Sequence, residues 1–222
     1  MRKPEGRGAL PSDTHQLNRK SNQTRQRILD AAASILATRG FAGTSIKAIA
    51  DSIDMQDASL YYHFESKDAL VLEVLRMGVM LAEEAVTTAV KALGDDPDPV
   101  EALRVAIMAH ASAVLGMGDY PRANVRNFGQ FPPAIASAQM SHHRRYARVW
   151  RELVEKAMAD GRIRQDLNPS AVRLLILGAL NWAPEWYSSE GELSPDAVGE
   201  QMAAMIIDGL TGAGTAREAH TP

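Results

Sequence analysis

Cysteine is absent from this chain of 222 residues. That absence excludes disulfides, thiolate metal sites and thiol catalysis. Aromatic residues are scarce, at 5% of the chain. Turn residues gather in a few clusters instead of recurring every ten residues, which disfavours a sandwich or barrel of many short strands. Long hydrophobic runs are also missing. The longest apolar stretch, 171–183, is too short to span a bilayer and carries Arg173. The opening Met-Arg-Lys-Pro-Glu-Gly-Arg-Gly has no apolar run behind it and is not expected to act as a signal peptide. A soluble cytoplasmic protein without a membrane partner is the expectation. No nucleophile elbow, Walker loop, dinucleotide fingerprint or paired carboxylates with a defined base is found, so an enzyme reading lacks its constellation. Neither a cofactor nor a metal is expected. The adjacent His142 and His143 would point about a hundred degrees apart on a helix and cannot share one ion well.

What is present is Ala, Leu, Val, Ile and Met at helical spacing. The formal charge is −3, unevenly spread. Residues 1–80 hold 11 Lys/Arg against 9 Asp/Glu, and the remainder 13 against 18. A mildly basic front and an acidic back suit a DNA-contacting head on a body that stays off DNA. Residues 1–20 lack periodicity and are expected to form a disordered arm, with Arg19, Lys20, Arg25 and Arg27 leading into the first helix. Helices are expected at about 24–39, 45–52, 56–62, 66–93, 100–115, 135–159, 169–188 and 194–210, with a short one near 123–128. Pro184 is expected to bend the second last. The tail 213–222 is expected to fray. The fold class is all-α: an N-terminal three-helix head over 21–68 and a C-terminal helical domain over 69–212.

Residues 44–67 carry the strongest functional signal. Two short helices joined at Asp54-Met55 read as a helix-turn-helix. Ile46, Ile49, Ala50, Ile53, Leu60 and Phe64 supply the small core such a motif needs. Gln56, Asp57, Ser59, Tyr61, Tyr62 and His63 remain for the outer face. Short polar side chains near the start of the second helix can reach base edges, while Tyr, His and Lys at its far end can hold phosphates. Lys67, beside the free N–H groups behind cap Ser66, is a candidate anion site.

Thr44, Ile49 and Ala50, followed by Leu60-Tyr-Tyr-His-Phe64, Ser66, Lys67 and Leu70, resemble the DNA-binding head of TetR-type transcriptional regulators. Gly40-Phe41 matches the end of that family's first helix. The resemblance covers about residues 24–72. It implies a third helix in the major groove and a DNA-binding set of Thr44, Ser45, Lys47, Gln56, Asp57, Ala58, Ser59, Tyr61, Tyr62, His63 and Lys67. Gln56 to Ser59 would face bases; Tyr61, Tyr62, His63 and Lys67 would hold phosphates.

The same resemblance implies a homodimer through the last two helices, about 169–188 and 194–210, and a near-palindromic operator. It also implies a small-molecule effector pocket in the rear domain. Candidate lining residues are Met108, Phe128, Phe131, Tyr146, Trp150, Asn181, Trp182 and Trp186, with the loop-rich stretch 116–133 as an entrance. The rear domain further resembles regulators of fatty-acid and steroid catabolism, which implies an apolar or acyl effector, an acyl-CoA among them. Arg126, Arg144, Arg145 and Arg148 could then meet its phosphates. The expected function is a ligand-responsive repressor. The alternatives are a helical scaffold without DNA binding and, further off, an enzyme.

Overall fold

The computed structural model describes residues 11–127 and 129–212, and among them nine helices. The first, α1 (Pro11–Arg39), is 29 residues long. It starts well before Thr24, so residues 11–20 are helical rather than part of an arm. Pro11 opens it, and neither Gly nor Pro recurs before Gly40. Residues 1–10, the rest of the expected arm, and the expected frayed tail 213–222 lie outside the described residues. Gly40 stops α1 in the left-handed conformation, φ +71°, and donates its N–H to Leu36 O at 3.1 Å.

The helix-turn-helix follows as α2 (Ile46–Ser52) and α3 (Asp57–His63). Ser45 caps α2, its hydroxyl accepting from Ala48 N at 3.0 Å. Asp54 turns the corner at φ +54°, a conformation Asp tolerates better than most side chains. Met55 N–H then reaches back to Ala50 O at 2.9 Å. Ser66 caps the long α4 (Lys67–Lys91), accepting from Ala69 N. The body comprises α5 (Pro99–Gly116), α6 (Asp119–Arg126), α7 (Pro133–Ala159), α8 (Pro169–Trp186) and α9 (Pro195–Thr211). Asp98, Asn168 and Ser194 cap α5, α8 and α9 through their side-chain oxygens. The short helix α6 begins four residues before the expected Ala123, because Gly118 at φ +79° ends the preceding turn and Asp119 stands in the new first turn. Helix α8 runs through Pro184 to Trp186.

Two apolar clusters divide the interior. One gathers Ile28, Leu29, Leu36, Ile49, Leu60 and Phe64 of the head, but also Leu70 to Leu75 of α4, Tyr120 and Ala123 of α6, and Ile135 of α7. The head core therefore reaches past residue 68, where the sequence suggested a boundary. The other cluster fills the body around Trp150, Leu103, Ile107 and Ile163. Helix α5 runs through its middle. It is long and apolar enough to cross a membrane by length and composition, and here its apolar residues pack on α4, α7, α8 and α9.

Candidate nucleic-acid interface and the body behind it

The outer face of α3 is built by contrast within five consecutive residues. Leu60 is fully buried and Phe64 nearly so, while Tyr61 is 56% and Tyr62 83% exposed. Two large aromatic rings held in water on a seven-residue helix gain nothing from folding. Tyr62 stands edge-on to half-buried His63, ring centroids 5.2 Å apart. Asp57, Ala58 and Ser59 line the exposed start of the same helix. Gln56 sits at its N-cap position with extended backbone and makes no capping bond with its side chain, which leaves the amide available. Lys47 is exposed on α2 and reaches Asp51 at 3.5 Å.

Two members of the expected DNA set stand elsewhere. Thr44 is only 2% exposed, its hydroxyl donating to Gly40 O at 2.8 Å. It locks the turn after α1. Lys67 is half-buried. Its ammonium donates to Phe41 O at 3.0 Å and lies 4.0 Å over the Phe41 ring. That cation ties α4 to the turn after α1. Arg25 and Arg27 are also engaged internally. Arg27 donates to Ile53 O at 3.1 Å. Arg25 covers the Phe64 ring and pairs with Glu73 at 3.3 Å.

Glu73 is a junction. Its carboxylate accepts from Arg76 at 2.8 and 2.9 Å as well as from Arg25 of α1. The Arg76 hydrogen bonds, opposed in part by burial, hold its pKa below the ordinary carboxylate value. A second joint runs through α6. Asn127 is fully buried; its Oδ1 accepts from Phe41 N at 2.7 Å and its Nδ2 donates to Leu36 O at 3.1 Å and Ala123 O at 2.8 Å. Tyr120 donates to Asp30 at 2.6 Å and accepts from Gln26. Asn124 donates to Leu75 O of α4.

The described residues expected to line the effector pocket line neither of the two cavities given below. Trp150 is fully buried and Tyr146 nearly so, and both fill the core. Tyr146 joins buried His110 in a polar knot, against which the Trp150 ring packs edge-on. The His110 Nε2–H donates to Asn181 Oδ1 at 3.2 Å, which leaves Nδ1 to accept from the Tyr146 hydroxyl at 2.6 Å. Burial pushes the His110 pKa down to about 4, so the ring is neutral at pH 7. Phe131 packs edge-on against Phe41, 5.7 Å between centroids, in the head cluster. Met108 is half-buried, its backbone facing Gly199 of α9. Phe128 lies outside the described residues. Trp182 and Trp186 face outward, 66% and 54% exposed, and Leu174, Leu175 and, on α9, Met205 are exposed as well.

Cavities lie elsewhere. One of about 320 Å³ opens between α4 and α7, lined by Leu72, Glu73, Arg76, Val79, Gln139 and His142 among others. A broader recess of about 560 Å³ lies between the end of α5 and the loop 187–195. Gln139 escaped sequence reasoning, although a signal existed: it falls four residues after Ile135 on the buried stripe of α7. Asn127 left no comparable pattern.

An outward tyrosine pair on the second helix of a helix-turn-helix, backed by an all-helical body, defines a DNA-binding regulator class. Family comparison agrees. Residues 28–74 match the model "Bacterial regulatory proteins, tetR family", and residues 96–210 match "Tetracyclin repressor-like, C-terminal domain". The chain belongs to the TetR family of helix-turn-helix transcription regulators. It is 29% identical to the HTH-type transcriptional repressor KstR2 of Mycolicibacterium smegmatis, over 84% of this chain and 90% of that protein. The solved structure of the ketosteroid transcriptional regulator KstR2 of Mycobacterium tuberculosis superposes with a TM-score of 0.72 at 25% identity, covering 85% of this chain and 95% of the other. AibR, solved in complex with isovaleryl coenzyme A and operator DNA, gives the same TM-score at 25% identity, covering 84% and 97%.

Proposed function

We propose that this chain is a homodimeric repressor that binds a near-palindromic operator through α3 and leaves it when a small apolar or acyl ligand occupies the body. The observation that carries the DNA reading is the exposure of Tyr61 and Tyr62 immediately beside buried Leu60 and Phe64. Gln56, Asp57, Ala58 and Ser59 read bases in this scheme. Tyr61, Tyr62 and His63 hold the backbone, with Ser45 and Lys47 at the groove edge.

The outward face of Leu174, Leu175, Trp182, Trp186 and Met205 is the dimer surface. Residues 175, 182 and 186 share one side of α8, and a monomer rarely leaves so many large apolar side chains together in water. A second copy covers them by a two-fold axis, which sets two α3 helices about 34–36 Å apart for successive half-sites. The acyl class of ligand rests on similarity to AibR, whose solved complex holds isovaleryl coenzyme A. Arg126, Arg144 and Arg148 are exposed cations available to coenzyme phosphates. Arg145 is bound at 2.8 Å to Glu83. A regulator of this kind works where the chromosome is, in the cytoplasm, and needs no catalytic residue.

The test is a gel-shift titration with the DNA flanking the protein's own gene. Wild type should retard it at low salt, with affinity falling steeply as salt rises. Tyr62→Ala should weaken binding at least about tenfold while thermal unfolding stays unchanged. Retention of operator affinity in a Tyr61→Ala/Tyr62→Ala double variant would end this reading.

A further inference from the structure

The cavity between α4 and α7 contains a buried donor with no use inside the protein. Gln139 is 7% exposed, and its amide nitrogen meets no hydrogen-bond acceptor among the described residues. A buried N–H left unpaired costs about 1–3 kcal/mol. Gln139 lines the cavity of about 320 Å³, whose other walls are Leu72, Leu75 and Val79 of α4. That size lies at the lower end of small-molecule sites, about 300–1,000 Å³. Arg76 stands at the same wall. It is paired with Glu73, which also lines the groove and accepts in turn from Arg25 of α1 behind it.

We infer that this groove is the effector site, and that it takes a small apolar carboxylate whose oxygen accepts from the Gln139 amide. The inference rests on the ligand-responsive part of the proposed function and gives it a location and a chemistry. Apolar walls select a hydrocarbon body. The unpaired amide N–H needs an acceptor, which a carboxylate supplies and an ammonium cannot. The location also supplies a route to the head. A carboxylate that draws Arg76 away from Glu73 acts on the group that accepts from Arg25 of α1 at 3.3 Å.

The probe is octanoate, titrated calorimetrically into the full-length protein without DNA, with octylammonium as its charge-reversed counterpart. Saturable binding of octanoate and none of octylammonium is the expected result. Gln139→Leu should weaken octanoate at least about tenfold. Ala138→Phe, which fills the groove from α7, should abolish binding. The near-isosteric Gln139→Glu should reverse the preference, losing octanoate and gaining octylammonium, a result that general unfolding cannot mimic. Equal octanoate affinity in wild type and Gln139→Leu, or no binding to wild type at millimolar probe, overturns the inference. The gel shift of the ligand-free protein reads the DNA-binding proposal separately, since neither outcome here changes it.

Discussion

Acid should unfold this protein through one residue more than through the other histidines. His110 is fully buried against Tyr146, Trp150 and Asn181, and its pKa lies near 4 against an ordinary 6.5. The folded state thus prefers the neutral ring, while the unfolded chain takes up a proton as pH drops below 6.5. Stability from this site is complete above pH 6.5 and drains away between 6.5 and about 4. Each tenfold gap in proton affinity is worth about 1.4 kcal/mol, which puts the full loss at about 3 kcal/mol and the loss at pH 5 at about 2 kcal/mol. The assay is urea unfolding followed by circular dichroism at pH 7, 6 and 5 and one fixed protein concentration, for wild type and His110→Gln. The variant can still bond Tyr146 or Asn181 but cannot titrate. Wild type should lose about 2 kcal/mol more than the variant between pH 7 and 5. Parallel losses would show that burial does not hold His110 neutral and would refute the polar knot as drawn.

Three further outcomes follow from packing. A Cβ on Gly78 would stand 2.4 Å from both Tyr120 O and Asn124 Nδ2, so Gly78→Ala should cost about 1–3 kcal/mol in denaturant unfolding, whereas Gly209→Ala, with open space around it, should not destabilise. Asn127→Ala strips partners from Phe41 N–H and Leu36 C=O and should cost at least about 2 kcal/mol, with unfolding midpoints as the measure. Leu175→Asp/Trp182→Asp should halve the mass seen by light scattering and lower operator affinity with it, since both side chains are more than half exposed and hold no part of the single-chain core.

The head was legible in the sequence because its signals are local. Ser45 and Ser66 are caps one can read, and Ile46, Ile49, Ala50, Leu60 and Phe64 recur at spacings that only a small helical core explains. The burial of Thr44 is hidden from the sequence for an equally local reason. A hydroxyl beside a cap looks available until Gly40 turns its carbonyl onto it. The body was legible as helices but not as a site. Trp150 and Trp182 bear the same apolar signature, yet one fills the core and the other stands in water. Which it does depends on the volumes packed around it and on neighbours far along the chain, and neither is written in periodicity. The apolar circumference of α8 suggests burial on several sides, whereas only Val172, Ile176, Leu180 and Ala183 are buried and Leu175, Trp182 and Trp186 stand exposed. It could not say which of its apolar residues the rest of this chain leaves exposed.

The joints between head and body constrain how any signal can travel. Were α4 the sole connection, the head could pivot freely about Ser66. It cannot, because α6 is fastened to α1 by Asn127, Tyr120 and Gln26, and to α4 by Asn124 and by the backbone approach at Gly78. The buried residues Leu70 to Leu75 belong to the same apolar cluster as Ile28 and Leu60, while Val79, Ala82 and Val86 belong to the body. The change of allegiance along α4 thus falls between Leu75 and Val79, at the level of Gly78 and beside Arg76. A packed core resists continuous deformation, so rearrangement is easiest where one cluster gives way to the other. The head, α6 and the first turns of α4 are therefore expected to move as one body. The α4–α7 groove, walled by Leu72, Arg76 and Val79, straddles that change. A ligand of the proposed kind would need no long relay to reach the outward tyrosines, because it would bind at the seam itself.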